Sequence, residues 1–316
     1  MGRRAASLLW FTLFGCDGAD AQDGAADAAA AQTPTVAPLA ALSSGACPDM
    51  STSGQTTTFS SSGQERTVTV LFPSELPDDL GLLFFFHGVM SPLETPQPTD
   101  YMARALQLQR VADEMGMVIV LPQGPLWEMV GQEFFFWDAE QGTEDGDLAL
   151  FDDLRTCAAE AFPVDLERVY AAGFSGGALF TTVVLGARAD TLAAVVEMSG
   201  GSDLTIPLIE NPVSAYSTPA RQTPTLLVTG GTDDAWPSPQ LALVNFFDAS
   251  DVLEDKLVGD GHFVVRCDHD EGHVLTSPEL AAMEMWLTNH RFGEPSPFAS
   301  GLDPAMAEWC VESDAL

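Results

Sequence analysis

The chain has 316 residues, long enough for one large α/β domain with a sizeable core. It carries 46 Asp and Glu against 12 Lys and Arg, a formal net charge of −34 at pH 7. This charge excludes nucleic acid as a partner, because phosphates would be repelled. Solubility or a salt-rich habitat explains it better than a bias against anionic substrates.

The first 46 residues predict export rather than folding. Arg3-Arg4 precedes an apolar stretch, residues 5–14, which is too short to span a membrane as a stable helix. Leu13-Phe14-Gly15-Cys16 resembles a bacterial lipobox, so we expect a signal peptide over residues 1–15 and lipidation of Cys16, with ordinary secretory cleavage as the alternative. Residues 16–46 are rich in Ala, Asp and Pro, which predicts a disordered tether, and residues 47–316 remain for one folded domain.

Export changes the interpretation of the cysteines. With Cys16 set aside, an even number remains, namely Cys47, Cys157, Cys267 and Cys310. In an oxidising compartment this predicts two disulfides, with three connectivities open. The chain has no Cys-x-x-Cys pair and no Gly-rich phosphate motif, so we expect neither a metal nor a cofactor.

Strands and helices alternate along the chain. Strands are predicted at residues 56–59, 66–72, 82–86, 117–121, 168–172, 193–199, 225–229 and 263–266. Helices are predicted near residues 101–114, 147–161, 178–185, 239–253 and 277–290. This order predicts an α/β fold with a mostly parallel central sheet, helices on both faces and an antiparallel strand pair at the N-terminal edge.

Two long irregular segments interrupt the alternation. Residues 123–145 hold Trp127, Phe134-Phe135-Phe136 and Trp137, which follow the C-terminal end of a strand. These aromatics either line a substrate pocket or fill the core; we favour the core for the three phenylalanines and leave Trp137 open. Residues 200–222 contain three prolines and predict a partial lid.

The segment Gly173-Phe174-Ser175-Gly176-Gly177 lies between an apolar strand and an apolar helix. A turn this tight strains the serine backbone and brings strand and helix together, so only residues with little side chain fit beside it. The turn lifts the Ser175 hydroxyl out of the sheet, next to free N–H groups of the helix N-terminus. Ser175 is therefore the candidate nucleophile; a plain Gly-rich turn is the alternative.

A second loop is expected to present N–H groups beside the Ser175 hydroxyl. His87-Gly88-Val89-Met90 follows the buried strand at 82–86, where a His-Gly pair shapes an oxyanion loop. We expect the amide of Val89, rather than that of Met90, to form an oxyanion hole with the amide of Gly176.

A serine nucleophile needs a base and an acid that orients the base. Asp234 follows the strand at 225–229 and is the candidate acid, with Asp233 as the fallback. His273 lies in a loop after the strand at 263–266 and is the candidate base, with His269 as its main competitor. The chain order of serine, acid and histidine is that of sheet-based hydrolases.

Together, His87-Gly88, residues 168–177, Gly231-Thr232-Asp233-Asp234 and Gly272-His273 resemble the α/β-hydrolase superfamily. Within it they are similar to secreted esterases grouped with poly(3-hydroxybutyrate) depolymerases and feruloyl or acetylxylan esterases, over about residues 66–292. The resemblance implies that Ser175, His273 and Asp234 are nucleophile, base and acid of one catalytic domain. The chain departs from these esterases at Gly230-Gly231, where they often have His-Gly, and after His273, where it lacks their aromatic residue and proline.

The sequence therefore predicts an exported serine esterase, either lipid-anchored or free. Its partner would be a small-molecule or polymeric ester, and it would meet a membrane only through the N-terminal anchor. A peptidase or lipase-like acyl hydrolase on the same fold is one alternative. The other is a surface-binding lipoprotein that kept the fold without catalysis.

Overall fold

The computed structural model describes residues 34–129, 131–139, 146–206 and 212–314. The strands are β1 Thr56–Ser61, β2 Gln64–Leu71, β3 Leu80–Phe86, β4 Met117–Pro122, β5 Leu126–Met129, β6 Gln132–Phe135, β7 Val164–Phe174, β8 Ala194–Met198, β9 Thr225–Thr229, β10 Ala235–Trp236, β11 Val244–Asn245, β12 Val264–Asp268 and β13 Cys310–Glu312. The helices are α1 Pro98–Ala105, α2 Leu108–Met115, α3 Asp147–Ala161, α4 Gly176–Arg188, α5 Phe246–Gly259, α6 Ser277–Asn289 and α7 Pro304–Ala307. The predicted signal peptide and Cys16 lie outside the described residues.

A nine-stranded sheet in the order β1-β2-β4-β3-β7-β8-β9-β12-β13 forms the centre of the domain. The six strands from β4 to β12 are parallel, whereas β1, β2 and β13 run antiparallel to their neighbours. This confirms the predicted mostly parallel sheet and the antiparallel pair at the N-terminal edge. The edge strand β13 was not predicted.

Strand β3 is buried on both faces, which explains its uninterrupted apolar sequence. Leu82, Phe84 and Phe86 pack in the cluster that α3, α4 and α5 cover. Leu83 and Phe85 pack in the cluster that α1, α2 and α6 cover. The helices therefore lie on both faces of the sheet, as predicted.

Two predicted helices differ from the structure. The helix expected over residues 101–114 is divided into α1 and α2, because Gln107 adopts a left-handed conformation with a φ of 52°. The helix expected over residues 239–253 begins only at Phe246, after Asn245, whose side chain accepts the Asp248 N–H and caps α5. Residues 235–245, which precede α5, form the β10–β11 hairpin instead.

The described part of the predicted tether lies on the domain. Arg155 of α3 donates to the carbonyl oxygen of Ala37 at 2.7 Å. The N–H of Ser43 donates to the carboxylate of Asp153 at 2.8 Å, and the Ser43 hydroxyl binds the same carboxylate. Backbone groups of an Ala- and Pro-rich segment are thus satisfied by polar side chains of α3. The compact unit therefore includes residues 34–46.

Two disulfides join Cys47 to Cys157 and Cys267 to Cys310. This is one of the three connectivities that the sequence left open. The first bond links the N-terminal segment to α3, and the second links β12 to β13 at the sheet edge. Within the described ranges, no helix is both long enough and apolar enough to cross a bilayer.

Candidate active site

Ser175 lies in a tight turn between β7 and α4, with a φ of 56° and a ψ of −124°. Residues other than glycine rarely adopt this backbone conformation. A Cβ on Gly177 would lie 2.0 Å from the carbonyl oxygen of Phe86, and one on Gly173 would lie 2.4 Å from the carbonyl carbon of Gly177. The contact between strand and helix therefore requires glycine at both positions, as the sequence predicted.

Three side chains that are distant in sequence meet beyond the C-terminal ends of the parallel strands. The Ser175 hydroxyl lies 2.9 Å from Nε2 of His273, and Nδ1 of His273 lies 2.7 Å from Oδ1 of Asp234. With Nδ1–H donating to Asp234, Nε2 is free to accept the proton of the Ser175 hydroxyl. Ser175 is 6% exposed and Asp234 is 0% exposed, so water competes little for these hydrogen bonds.

Asp234 is fixed by the loop that follows β9. Its Oδ2 accepts the N–H of Gly230 at 2.9 Å, and its own N–H donates to the carbonyl oxygen of Gly231 at 2.9 Å. Asp233, the fallback acid, is exposed and makes no hydrogen bond to a histidine within the described residues. The structure thus brings Asp234, and not Asp233, to His273.

The loop that carries His273 touches the loop that carries Asp234. The N–H of Gly272 donates to the carbonyl oxygen of Gly230 at 3.1 Å. A Cβ on Gly230 would lie 1.9 Å from the carbonyl oxygen of Gly272. This contact explains why glycine occupies position 230, where the sequence departs from the His-Gly of the esterases that it resembles.

His269, the competitor for the role of base, and two further histidines have other partners. Nε2 of His269 lies 3.4 Å from Oε1 of the buried Glu279. His262 and His290 are buried, and each is hydrogen-bonded through Nδ1 to backbone groups. Among the described residues, none of the three is hydrogen-bonded to Ser175.

His87 is buried and shapes the loop after β3. Its Nδ1–H donates to the carbonyl oxygen of Gly88 at 2.7 Å, and its Nε2 accepts the N–H of Gly124 at 3.0 Å. Burial lowers the pKa of His87 to about 4, so the ring is neutral at pH 7. The indole of Trp137 donates to the carbonyl oxygen of His87 at 2.8 Å and is fully buried. Trp137 therefore belongs to the core and stabilises this same loop.

The loop after β3 packs against the start of α4. A Cβ on Gly176 would lie 2.9 Å from Cγ2 of Val89. The N–H of Met90 donates to the carbonyl oxygen of Phe135 at 3.3 Å. The N–H of Val89, by contrast, has no hydrogen-bond partner within the part of the chain that the structure describes. Of the Val89 and Met90 amides, the Val89 N–H is therefore the one that is available to a ligand beside Ser175.

An apolar cluster lies next to this loop and comprises the buried Phe136, Ala139, Leu179, Leu204, Val213, Val244, Phe246 and Ala249 with the partly buried Val89, Trp127, Ile206 and Trp236. Phe136 and Val89 are the members that reach the turn, because a Cβ on Gly176 would lie 2.9 Å from Cε2 of Phe136 and 2.9 Å from Cγ2 of Val89. Phe136 therefore belongs both to the core, as favoured from the sequence, and to the surroundings of Ser175. Leu204 and Ile206 come from the predicted lid, of which residues 207–211 lie outside the described part.

Glu197 is a buried carboxyl group that the sequence interpretation missed. It lies on β8, is 1% exposed, and accepts hydrogen bonds from the Thr182 hydroxyl at 2.9 Å and the Gly201 N–H at 3.3 Å. Burial raises the pKa of Glu197 to about 8. A single acid within the apolar run Ala194–Met198 was the signal that could have revealed it. No group of three or more metal-ligating side chains is found among the described residues.

No family model matches the chain. Over 156 residues, 49% of the chain, it is 29% identical to the bifunctional acetylxylan esterase/xylanase XynS20E of Neocallimastix patriciarum, and it spans about a fifth (21%) of the length of that curated relative. Among solved structures, pOPH is similar with a TM-score of 0.65 and 16% identity over 86% of this chain and 98% of that chain. A thermostable esterase is similar with a TM-score of 0.53 and 18% identity over 75% and 63% of the two chains. With its parallel strand order and its strand–serine–helix turn, the chain therefore has the α/β-hydrolase fold.

Proposed function

We propose that this protein is a serine hydrolase that cleaves carboxylic esters through an acyl-enzyme intermediate. The observation that carries this proposal is the continuous hydrogen-bonded series from Asp234 through His273 to Ser175. A buried acid, an oriented imidazole and a strained serine form the arrangement that activates a hydroxyl for nucleophilic attack.

In the proposed reaction, Oγ of Ser175 bonds to the ester carbonyl carbon while its proton passes to Nε2 of His273. The imidazolium returns that proton to the leaving alkoxide as the carbon–oxygen bond breaks, and the acyl group stays on Ser175. Water then attacks the acyl carbon and gives a proton to His273. Collapse of the second intermediate releases the carboxylic acid and restores the Ser175 hydroxyl. These steps require no cofactor.

Asp234 and two backbone amides have separate roles in this scheme. Asp234 holds the Nδ1–H tautomer of His273 and stabilises the imidazolium that forms. The N–H groups of Gly176 and Val89 donate to the oxyanion of each tetrahedral intermediate. Losing one such donor typically costs about 2.7–4 kcal/mol of transition-state stabilisation.

We propose uncharged esters as the substrates. The apolar cluster beside Gly176 supports an acyl or alcohol group that is largely apolar. The similar XynS20E is named for acetylxylan ester cleavage. Polyesters and the acetyl or feruloyl esters of polysaccharides are therefore the substrates that we propose.

We also propose that the protein is exported, which its two disulfides support. The lipobox-like Cys16 favours a lipid anchor over free secretion. The test is fractionation of cells that express the full chain. Cys16→Ser is expected to move the protein from the membrane pellet to the soluble fraction, and wild-type protein that is already soluble would contradict the anchor.

A panel of substrates tests the proposed chemistry. The wild-type domain is assayed without surfactant on short aryl acetates, feruloyl esters and peptide p-nitroanilides. We expect turnover of the esters and none of the amides. Preferential amide cleavage would favour a peptidase, and no turnover of any substrate would favour a binding lipoprotein.

A further inference from the structure

The imidazole of His273 is stacked by two phenyl rings, in addition to the hydrogen bonds at both of its nitrogen atoms. The centroid of the Phe246 ring lies 4.4 Å from that of the imidazole, with 6° between the planes. The centroid of the Phe174 ring lies 4.9 Å away, with 23° between the planes. The two hydrogen bonds lie in the plane of the imidazole. They oppose only weakly a tilt of the ring plane about the line that joins the two nitrogen atoms. Stacked rings oppose that tilt directly.

Phe246 belongs to the structural unit that holds the acid. Its backbone N–H donates to the carbonyl oxygen of Asp234 at 2.8 Å. The residues that flank this contact are paired, because Ala235 lies opposite Asn245 in the β10–β11 hairpin. Phe246 is 3% exposed, so its ring has little freedom. The acid and the stacked ring are therefore fixed relative to each other.

Phe174 belongs to the structural unit that holds the nucleophile. It ends β7 and directly precedes Ser175, whose N–H donates to the carbonyl oxygen of Met198 at 2.9 Å. Its ring packs against the core cluster that α6 covers, whereas the Phe246 ring belongs to the separate cluster beside the turn. The two rings therefore reach the imidazole from different parts of the domain.

We infer that Phe174 and Phe246 are positioning residues, which hold the ring plane of His273 in line with both Asp234 and Ser175. Their effect on turnover rests on the proposed function, but their effect on the imidazole does not. When His273 accepts the serine proton, its ring becomes a delocalised cation that an aromatic face stabilises. An aliphatic side chain fills a similar volume without providing that face.

Leucine variants separate this role from simple packing. In Phe246→Leu and Phe174→Leu, kcat for an aryl ester is expected to fall about fivefold to tenfold, with KM changed less than about twofold. Phe174 is half-buried, so Phe174→Tyr is expected to be accommodated and to keep the aromatic face. Its kcat is therefore expected to recover most of what Phe174→Leu loses. The matched control is Phe298→Leu.

Phe298 suits this purpose because it is 6% exposed and its ring lies 5.6 Å from that of another histidine, His290. It is stacked on Trp286, and among the described residues the ring contacts of His273 are with Phe174 and Phe246 instead. Phe298→Leu is therefore expected to lower Tm as a leucine substitution in the core does, while kcat stays at the wild-type value.

Proton NMR gives a readout that is independent of turnover. The hydrogen-bonded Nδ1–H of His273, assigned by its absence from His273→Gln, is expected to be visible in the wild type and in Phe298→Leu. In Phe246→Leu it is expected to broaden through exchange with water. An unchanged resonance and an unchanged kcat in Phe246→Leu would overturn the inference. A wild type that hydrolyses no ester, but loses the resonance in Phe246→Leu, would contradict the proposed function and leave the positioning role supported.

Discussion

Gly230 and Gly272 are in direct backbone contact, so close that a Cβ on Gly230 would lie 1.9 Å from the carbonyl oxygen of Gly272. Gly230 also donates its N–H to Oδ2 of Asp234, and Gly272 directly precedes His273. This contact therefore sets the spacing between the acid loop and the base loop.

We predict that Gly230→Ala separates the two loops and lowers kcat by about 10²-fold, because a displacement of about 1 Å in a catalytic group has an effect of that size. Gly259→Ala at the end of α5 is the matched control, since a Cβ there would meet nothing within 4 Å. Steady-state kinetics on an aryl ester measures the effect. Equal kcat values for the two variants would contradict the importance of this contact.

A second prediction concerns Asp234. In Asp234→Asn, the side-chain oxygen keeps the hydrogen bond from the Gly230 N–H, which turns the NH₂ group towards Nδ1 of His273. His273 is then driven to the tautomer with the proton on Nε2, which is unable to accept the Ser175 proton. We expect kcat to fall by about 10⁴-fold at neutral pH. Asp233→Asn, on the exposed neighbour, is expected to keep wild-type kinetics, and the reverse result would assign the acid to Asp233.

Glu197 predicts a pH dependence of stability. Its pKa is about 8 in the folded protein against an ordinary value of 4.5, so between these pH values the folded state holds a proton that the unfolded state has lost. The contribution of Glu197 to the free energy of unfolding therefore falls as pH rises through this window, by about 1.4 kcal/mol per pH unit, and levels off above pH 8.

The matched variant is Glu197→Gln, which does not titrate and whose amide oxygen still accepts from Thr182 and Gly201. Urea unfolding from pH 5 to 9 is expected to show the variant gaining stability over the wild type up to about pH 8 and not beyond. Because His87 and His290, whose pKa values burial lowers to about 4, are present in both proteins, their titration cancels in the difference. A difference that is constant over this range would exclude a buried, proton-binding Glu197.

The net charge of −34 predicts that salt stabilises the fold. Raising NaCl from about 0.01 M to 0.15 M shortens the screening length from about 30 Å to about 8 Å and weakens self-repulsion among the acidic residues. Tm from calorimetry is therefore expected to rise over this range. An uncharged osmolyte at equal osmolality is the control, and an equal rise with that osmolyte would exclude charge screening as the cause.

The features that the sequence revealed are local ones. The turn at Ser175 was predictable because its glycines and the flanking apolar strand and helix are contiguous. Asp234 and His273 were predictable because each follows an apolar strand in a fixed chain order. Parallel strands then bring their C-terminal ends to one sheet edge.

The features that the sequence did not reveal depend on contacts between distant residues. The break between α1 and α2 at Gln107 has neither glycine nor proline to mark it. The late start of α5 depends on the pairing of β10 with β11, and the packing of residues 34–46 depends on polar side chains of α3. The stacking of Phe246 on His273 was not predictable either, because no motif in the sequence around either residue indicates the other.

Labelling with a fluorophosphonate followed by peptide mass spectrometry tests most directly whether Ser175 is a nucleophile activated by His273. We predict one adduct on Ser175 in the wild type, none in Ser175→Ala, and an adduct at the wild-type rate in the control Ser199→Ala, which alters another buried serine with a positive φ. Wild-type protein that stays unlabelled, or an adduct on any other residue, would contradict the claim.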